Sequence, residues 1–361
     1  MYRQRFSAKK TDRHAASRPF ALKRNFRPGT VRALMRLVGL SLVLGAGLLT
    51  AFAQSAVSKL ERTLLYGSDY IRLTDWARAN RFRLTQGRTH DEILLTSELL
   101  KLVFTVDSQR AEINGATVFL SFPVAFRNGT PYIALLDLRT AVQPVLFPPR
   151  NEPRVPIINI CLDPGHGGKD PGNEEGHHKE KEYTMALAWE MRKLLKEAGL
   201  NVSLTRQVDS FVPLPSRPDF AKRRDAEIFV SLHFNAALAN KSEVEGVEVY
   251  CLTPAGARST YARGDSSDTR GWQGNLFDAK NMLLSYHIQK SMVRALPVED
   301  RGVKHARFAV LKPTAMPAVL VEAGFMSHPS ESKRILDPAY RRQLAQAIVD
   351  GILTYKRLVE R

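Results

Sequence analysis

Four short stretches of this sequence place metal-capable side chains directly after apolar runs. The first is Cys161-Leu-Asp-Pro-Gly-His166-Gly-Gly-Lys-Asp170, where Pro164 and three glycines predict a tight turn that presents His166. The second is Lys179-Glu180-Lys181-Glu182-Tyr183, just ahead of an amphipathic stretch, so that a carboxylate there can project back toward the turn. The third, Ser231-Leu232-His233-Phe234-Asn235, ends one apolar run, and the fourth, Ala318-Val-Leu-Val-Glu322, ends another in an acid. Taken singly, each has an ordinary reading: a surface turn, a carboxylate favoured by a helix start, a core histidine. An acid closing an apolar strand is harder to explain away, because burial is costly for it unless it is paired or metal-bound. Together the four supply two imidazoles, one carboxylate and one further carboxylate. That is the inventory of a catalytic zinc site, which needs three protein ligands and an open fourth position, with a non-ligand acid to move protons.

The elements that must position these groups follow an α/β pattern after about residue 155. Val155–Leu162 is a continuous apolar run suited to a central strand, and apolar residues recur at helical spacing through Met185, Ala188, Met191, Leu195 and Ala198 before Gly199 stops the helix. Strands are expected at 200–205, 227–232, 245–252, 307–311 and 318–322, with helices near 217–226 and 276–295. A last helix begins at Asp337-Pro338, an N-cap followed by proline. The expectation is an open, twisted, mostly parallel sheet flanked by helices over 157–361, gathering its ligands at strand ends. Residues 60–149 read differently, as a small β-rich α+β domain with turns at Asn114-Gly115 and Asn128-Gly129 and short helices near Leu73–Asn80 and Leu136–Val142. Pro148, Pro149, Pro153 and Pro156 mark the linker, taken as 150–156.

The region 155–361 resembles the zinc-dependent N-acetylmuramoyl-L-alanine amidases. The resemblance is carried by Leu162-Asp-Pro-Gly-His166-Gly-Gly-Lys-Asp-Pro-Gly172, Glu180-Lys181, Leu204-Thr-Arg206, Phe229-Val-Ser-Leu-His233-Phe-Asn-Ala236, Arg301-Gly-Val-Lys304 and Met316-Pro-Ala-Val-Leu-Val-Glu322-Ala-Gly-Phe-Met-Ser327. It implies one zinc ion on His166, Glu180 and His233, with Glu322 as the catalytic carboxylate, and hydrolysis of the bond between N-acetylmuramic acid and L-alanine in peptidoglycan. Lys222 departs from the pattern, where Asn often follows Ala221. Some relatives carry a regulatory helix over the zinc between positions equivalent to 254 and 275; here four glycines and the lack of any Glu predict a loop near the cleft without a plug. His177, His178, Glu174 and Glu175 lie between the first two ligands and are expected in solvent, although one histidine becomes an alternative ligand if Glu180 faces away. His287 fits an ordinary helix position; His305 and His328 flank the motif blocks near the expected cleft, with substrate contact as the alternative to an ordinary position. Residues 60–150 are similar to the small N-terminal-type domain of copper amine oxidases, reused in exported bacterial proteins without a copper site. No cluster of His, Cys and acids occurs there, so no chemistry is assigned to them, and a wall-binding or activator partner is left open for this region.

The formal charge of +17 is concentrated at one end. Residues 1–36 hold eleven Lys or Arg against Asp12 alone, so the rest of the chain carries only a mild excess that requires no nucleic-acid partner. Leu37 to Ala53 then runs seventeen residues without a charge and ends in Ala51-Phe52-Ala53, the form of a signal peptide with a small-x-small cleavage site, an uncleaved anchor being the alternative. Starting at Met35 that segment is complete by itself, which makes residues 1–34 readable as an over-extended start. Export to the periplasm or cell envelope is the expectation. Cys161 and Cys251 each sit in an apolar run, and buried free thiols describe them better than a disulfide. Two other classes compete: a zinc carboxypeptidase or deacetylase acting on the same polymer, and a wall-binding regulator without catalysis.

Overall fold

Alternating short runs after Leu60 build antiparallel units in the computed structural model, which describes residues 60–152, 155–260 and 269–361. The basic leader, Met35 and the apolar segment 37–53 lie outside the described residues, as does part of the 150–156 linker. In chain order the first strands are β1 (Arg62–Leu65), β2 (Ser68–Arg72), β3 (Arg83–Gln86), β4 (Glu92–Thr96), β5 (Lys101–Thr105), β6 (Arg110–Ile113), β7 (Ala116–Phe119), β8 (Ala125–Arg127) and β9 (Thr130–Ala134). Strands β1, β2, β9 and β8 form one antiparallel sheet, while β3 to β7 run as a meander. Asn114-Gly115 joins β6 to β7 and Asn128-Gly129 joins β8 to β9, all four residues having positive φ, as a two-residue hairpin turn of the primed type requires. Helix α1 (Leu73–Ala79) and a continuous helical run made of α2 (Leu135–Asp137), a π turn (Leu138–Val142) and α3 (Gln143–Leu146) complete this region.

Beyond the prolines the chain alternates as expected: β10 (Asn159–Pro164), the small hairpin β11 (Glu174–Glu175) and β12 (His178–Lys179), α4 (Glu180–Glu197), β13 (Asn201–Leu204), α5 (Ser216–Arg223), β14 (Ile228–Asn235), β15 (Val247–Leu252), α6 (Asp278–Ala295), β16 (Asp300–Ala306), β17 (Ala318–Phe325), α7 (Pro329–Leu336) and α8 (Pro338–Val359). Their sheet order is β13-β10-β14-β17-β15-β16. Neighbours are parallel except β15 against β17. The sheet does not stop at β16. Val303 pairs with Val118, so the β7 to β3 meander extends the same sheet to eleven strands. Cys251, Met282, Tyr286 and Val303 share one apolar cluster with the residues of 60–146.

Alternation along the strands decides what faces where. Ile160, Leu162, Val230, Leu232, Val319 and Val321 pack against Leu187 and Met191 of α4, Leu284 and Ile288 of α6, and Leu344, Ile348 and Tyr355 of α8. Each fully buried aliphatic side chain there contributes roughly 1.5–3 kcal/mol. Cys161, Phe229, Ala318 and Leu320 point the other way, toward Ala221 of α5. His233 and Glu322, two residues on from Ser231 and Leu320, therefore belong to this second face. Helix α8 starts as expected, the Asp337 carboxylate accepting from Ala339 N–H at 2.8 Å with Pro338 behind it.

Two expectations need correction or completion. Residues 307–311 form turns, with Leu311 N–H bonded back to Phe308 O, and the strand lies instead at Asp300–Ala306. Its charged residues and Gly302 hide the apolar alternation. That glycine has φ +84°, and a β-carbon there would meet Thr117 O of β7 at 3.0 Å. Residues 254–260 and 269–272 are without helix, followed by a single 3-10 turn at Gln273–Phe277, while 261–268 lie outside the described residues. Both cysteines are free and buried, in different apolar clusters. Burial pushes the Cys161 thiol up to about 12, which disfavours its thiolate. No helix among the described residues is long and apolar enough to cross a membrane.

Candidate functional site

Strand β10 ends at Pro164, and the chain then turns sharply through Gly165, His166, Gly167 and Gly168. His166 itself takes φ +61°, a left-handed conformation that non-glycine residues avoid, and the flanking Gly167 and Gly168 are also at positive φ. The turn brings His166 over the sheet end. Glu180 is the first residue of α4 and is 1% exposed; the helix N-terminus favours its negative charge. His233 lies near the C-terminal end of β14, one strand over from β10. Three side chains from a turn, a helix start and a strand end thus converge where an open α/β sheet collects ligands.

Their approach is close. His166 Nε2 lies 3.1 Å from Glu180 Oε2, His233 Nδ1 lies 3.0 Å from Glu180 Oε1, and the two imidazole nitrogens are 3.1 Å apart. One ligand atom from each of the three residues falls within 4.8 Å of the others, and no other such group of His, Cys, Asp and Glu occurs among the described residues. A tetrahedral site with bonds of ~2.0–2.1 Å has edges of roughly 3.3–3.4 Å, so these spacings fit a small divalent ion. The supports are in place too. His166 Nδ1 bonds the Asp170 carboxylate at 2.9 Å, fixing the ring so that Nε2 faces the cluster. Glu180 accepts from Asn173 N–H, Asn173 Nδ2 and Phe234 N–H at 2.9, 3.0 and 3.0 Å.

Electrostatics agree with a cation-binding role. Burial works against ionisation of Glu180, yet the two imidazoles outweigh it and hold the carboxyl far below the usual range. Burial likewise depresses His166, but Glu180 and Asp170 more than offset this and raise it. The fourth residue behaves oppositely. Glu322 sits in β17 directly opposite His233 of β14 and Glu248 of β15, and its Oε2 is shielded from solvent without a hydrogen-bond partner. Burial, reinforced by Glu180 and Glu248 and opposed by Lys304, pushes its pKa well above that of an ordinary carboxylate.

Sequence reasoning passed over Glu248. It is buried and accepts from Asn235 Nδ2 at 2.9 Å, Tyr250 OH at 2.8 Å, Arg301 Nε at 3.1 Å and Lys304 Nζ. The signal was present, since an acid inside Val247-Glu-Val-Tyr-Cys-Leu252 is the same anomaly as Glu322. The alternative ligands stand apart from the cluster. His177 and Glu174 are exposed, Glu175 pairs with Lys241 at 3.5 Å, and His178 Nδ1 bonds Tyr183 OH at 2.6 Å. His287 is partly buried in α6, and burial lowers its pKa to about 4. His305 and His328 both hold ordinary structural positions. His305 is 1% exposed in the interior of β16, and His328 caps α7, its Nδ1 accepting from Glu331 N–H at 3.3 Å. Lys222 is exposed on α5 and does not enter the cluster.

Gly165 offers a local test of this packing. A β-carbon added there would lie 2.3 Å from His233 Cε1 and 2.6 Å from Nε2. The ring must then shift by about an ångström, a displacement that costs on the order of 100-fold in a preorganised site. Gly165→Ala is therefore expected to lower the activity of the site by about that factor while leaving far-UV circular dichroism unchanged; full activity in the variant would show that His233 is not held where it appears.

Residues 160–354 match the family of N-acetylmuramoyl-L-alanine amidases. The N-acetylmuramoyl-L-alanine amidase AmiA of Escherichia coli (strain K12) is 32% identical over 219 residues, covering 54% of this chain and 75% of that protein. The N-acetylmuramoyl-L-alanine amidase AmiC of Neisseria meningitidis serogroup B is 34% identical over 220 residues, covering 54% of this chain and 52% of that protein. Among solved structures, the amidase AmiC2 of Nostoc punctiforme is 30% identical with a TM-score of 0.47, covering 55% of this chain and 97% of that one. The matched segment takes in His166, Glu180, His233 and Glu322, and on that match this chain belongs to the N-acetylmuramoyl-L-alanine amidase family.

Proposed function

We propose that this chain is a zinc-dependent peptidoglycan amidase that binds one zinc ion through His166 Nε2, Glu180 and His233 Nδ1 and moves protons through Glu322. The observation that carries this reading is the convergence of two imidazole nitrogens and a carboxylate beside a second carboxyl whose Oε2 has no partner. The donor set suits zinc, which when bound polarises the scissile carbonyl and acidifies a water molecule. The rest falls to the protein. Asp170 orients the His166 ring, and Asn173 with Phe234 N–H orients Glu180, so the ligands need little rearrangement. Glu322 Oε2, free of competing donors and on the same sheet face as His233, takes the proton of the attacking water and returns it to the departing nitrogen. L-Alanine leaves as a free amine, and the lactyl group of N-acetylmuramic acid keeps the carboxylate.

Export of the enzyme to the cell envelope is part of the proposal and rests on Leu37–Ala53. The β-rich region 60–149 is proposed to hold the wall or an activator. Digestion of purified peptidoglycan followed by mass analysis tests the activity. The expected products are intact glycan strands and peptides with new L-alanine amino termini; release of acetate or of a terminal D-alanine in their place would refute the assignment.

A further inference from the structure

Two arginines lie beneath the ligand cluster with almost no exposure, Arg206 at 4% and Arg217 at 1%. Arg206 donates from Nε to Pro164 O at 3.0 Å and from NH2 to Gly165 O at 2.9 Å, Lys181 O at 2.8 Å and Thr184 Oγ1 at 3.1 Å. Arg217 donates from NH1 to Asp163 Oδ1 at 2.8 Å and Pro164 O at 3.0 Å, and from NH2 to His166 O at 2.9 Å. The carbonyls of three consecutive residues, 164 to 166, are thereby taken up by two guanidiniums. Arg206 also spans from that turn to the first turn of α4, which carries Glu180. Thr184 adds a parallel strut, its hydroxyl donating to Gly165 O at 3.0 Å.

We infer that Arg206 and Arg217 are positioning residues that lock the His166 turn against the start of α4, so that the ligands are held at binding distance before any metal arrives. The inference rests on the zinc reading of the cluster. Its physical basis is an imbalance. Burying a guanidinium is expensive, and Arg206 donates only to carbonyl and hydroxyl oxygens among the described residues, where a buried cation usually finds a carboxylate. A cation at this place also repels a divalent ion. Both effects oppose the site, and what they are exchanged for is geometry. His166 stands in a left-handed backbone conformation that surrounding structure must enforce, and the carbonyl of that same residue is the one Arg217 grips. Gly167 permits the approach: a β-carbon there would lie 2.8 Å from Arg206 Cδ. Arg supplies donors in a fixed fork, which a lysine does not reproduce.

Charge and geometry predict opposite signs, and this makes the inference testable. Zinc affinity is measured by competition with a chromophoric chelator on the wild type, Arg206→Met, Arg206→Lys, Thr184→Val and His233→Ala, with the visible spectrum of the cobalt-loaded proteins as a second reading. If the arginine positions the ligands, Arg206→Met binds zinc about 10–100-fold more weakly, Arg206→Lys falls between it and wild type, Thr184→Val weakens binding several-fold, and the cobalt spectra shift. Tighter zinc binding by Arg206→Met, or unchanged affinity and spectra in it and in Thr184→Val, overturns the inference. Thr184→Val replaces a buried hydroxyl with a methyl of similar shape and decides the question alone if Arg206→Met does not fold. Asp337→Ala, at the distant α8 cap, controls for stability: an equal loss of zinc affinity there assigns the effect to general loosening and likewise overturns it. Failure of the underlying reading looks different, since then the wild type itself binds no zinc or His233→Ala binds it equally well.

Discussion

Glu322→Gln is expected to lower kcat on peptidoglycan by about 10²–10⁴-fold while zinc content stays at the wild-type level. Glutamine keeps the shape and polarity of the side chain and removes only its ability to gain and lose a proton. The position is free of other duties: Oε2 has no partner, so no structural hydrogen bond is broken. Stability is expected to hold or rise, because the substitution removes one of two acids facing each other across β17 and β15. Glu248 supplies the contrast. It too is a buried acid on an apolar strand, but Asn235, Tyr250, Arg301 and Lys304 all donate to it, so its oxygens are engaged in holding the structure. Removing its charge strands Arg301 and Lys304 beside a neutral group, a change that destabilises rather than selectively slowing chemistry. Steady-state kinetics with zinc analysis on Glu322→Gln decides the matter. Undiminished turnover would remove Glu322 from the mechanism.

What could be read in the sequence was whatever local chemistry forces. A glycine-rich turn after an apolar strand and an acid at a helix start are ordinary singly, but an apolar run ending in Glu322 violates ordinary patterning, and such violations mark a site. The Asn-Gly hairpins and the Asp337-Pro338 cap were legible because one dipeptide determines each. What stayed hidden depends on partners far away in the chain. Strand β16 carries Arg301, Lys304 and His305, and it looks polar until Glu248 of β15 neutralises two of them. Val303 then meets Val118 across the sheet, a pairing over 185 positions that no window of local pattern contains. Arg206 and Arg217 were invisible as braces for the same reason. Sequence gives no hint that an arginine will be buried against backbone carbonyls, because carbonyls belong to every residue. His305 and His328 flank motif blocks, but nearness in sequence does not say which way a strand residue or a helix cap points.

Removing the metal is expected to abolish activity without unfolding the protein, with full recovery on adding zinc back. Two features separate this chain from small domains that collapse without their metal. Its stability rests on an apolar core built by α4, α6 and α8 against the sheet, none of which needs the ligands to pack. The ligands are also satisfied without an ion, since Glu180 keeps Asn173 and Phe234 as donors and His166 keeps Asp170. Zinc still stabilises by linkage, by ~4 kcal/mol when free zinc is a thousandfold above its Kd. For a structure of this size that corresponds to a rise in Tm of roughly 5–7 °C. His233→Ala separates the contributions. It should lose both the activity and nearly all the zinc-dependent rise in Tm, yet melt within a few degrees of the metal-free wild type, because Glu180 Oε1 retains Phe234 N–H when the imidazole is gone. Differential scanning calorimetry with and without chelator reads both quantities. A variant that unfolds with the imidazole removed would mean that the cluster is a structural keystone; one that keeps the full zinc response would mean that the ion is bound elsewhere.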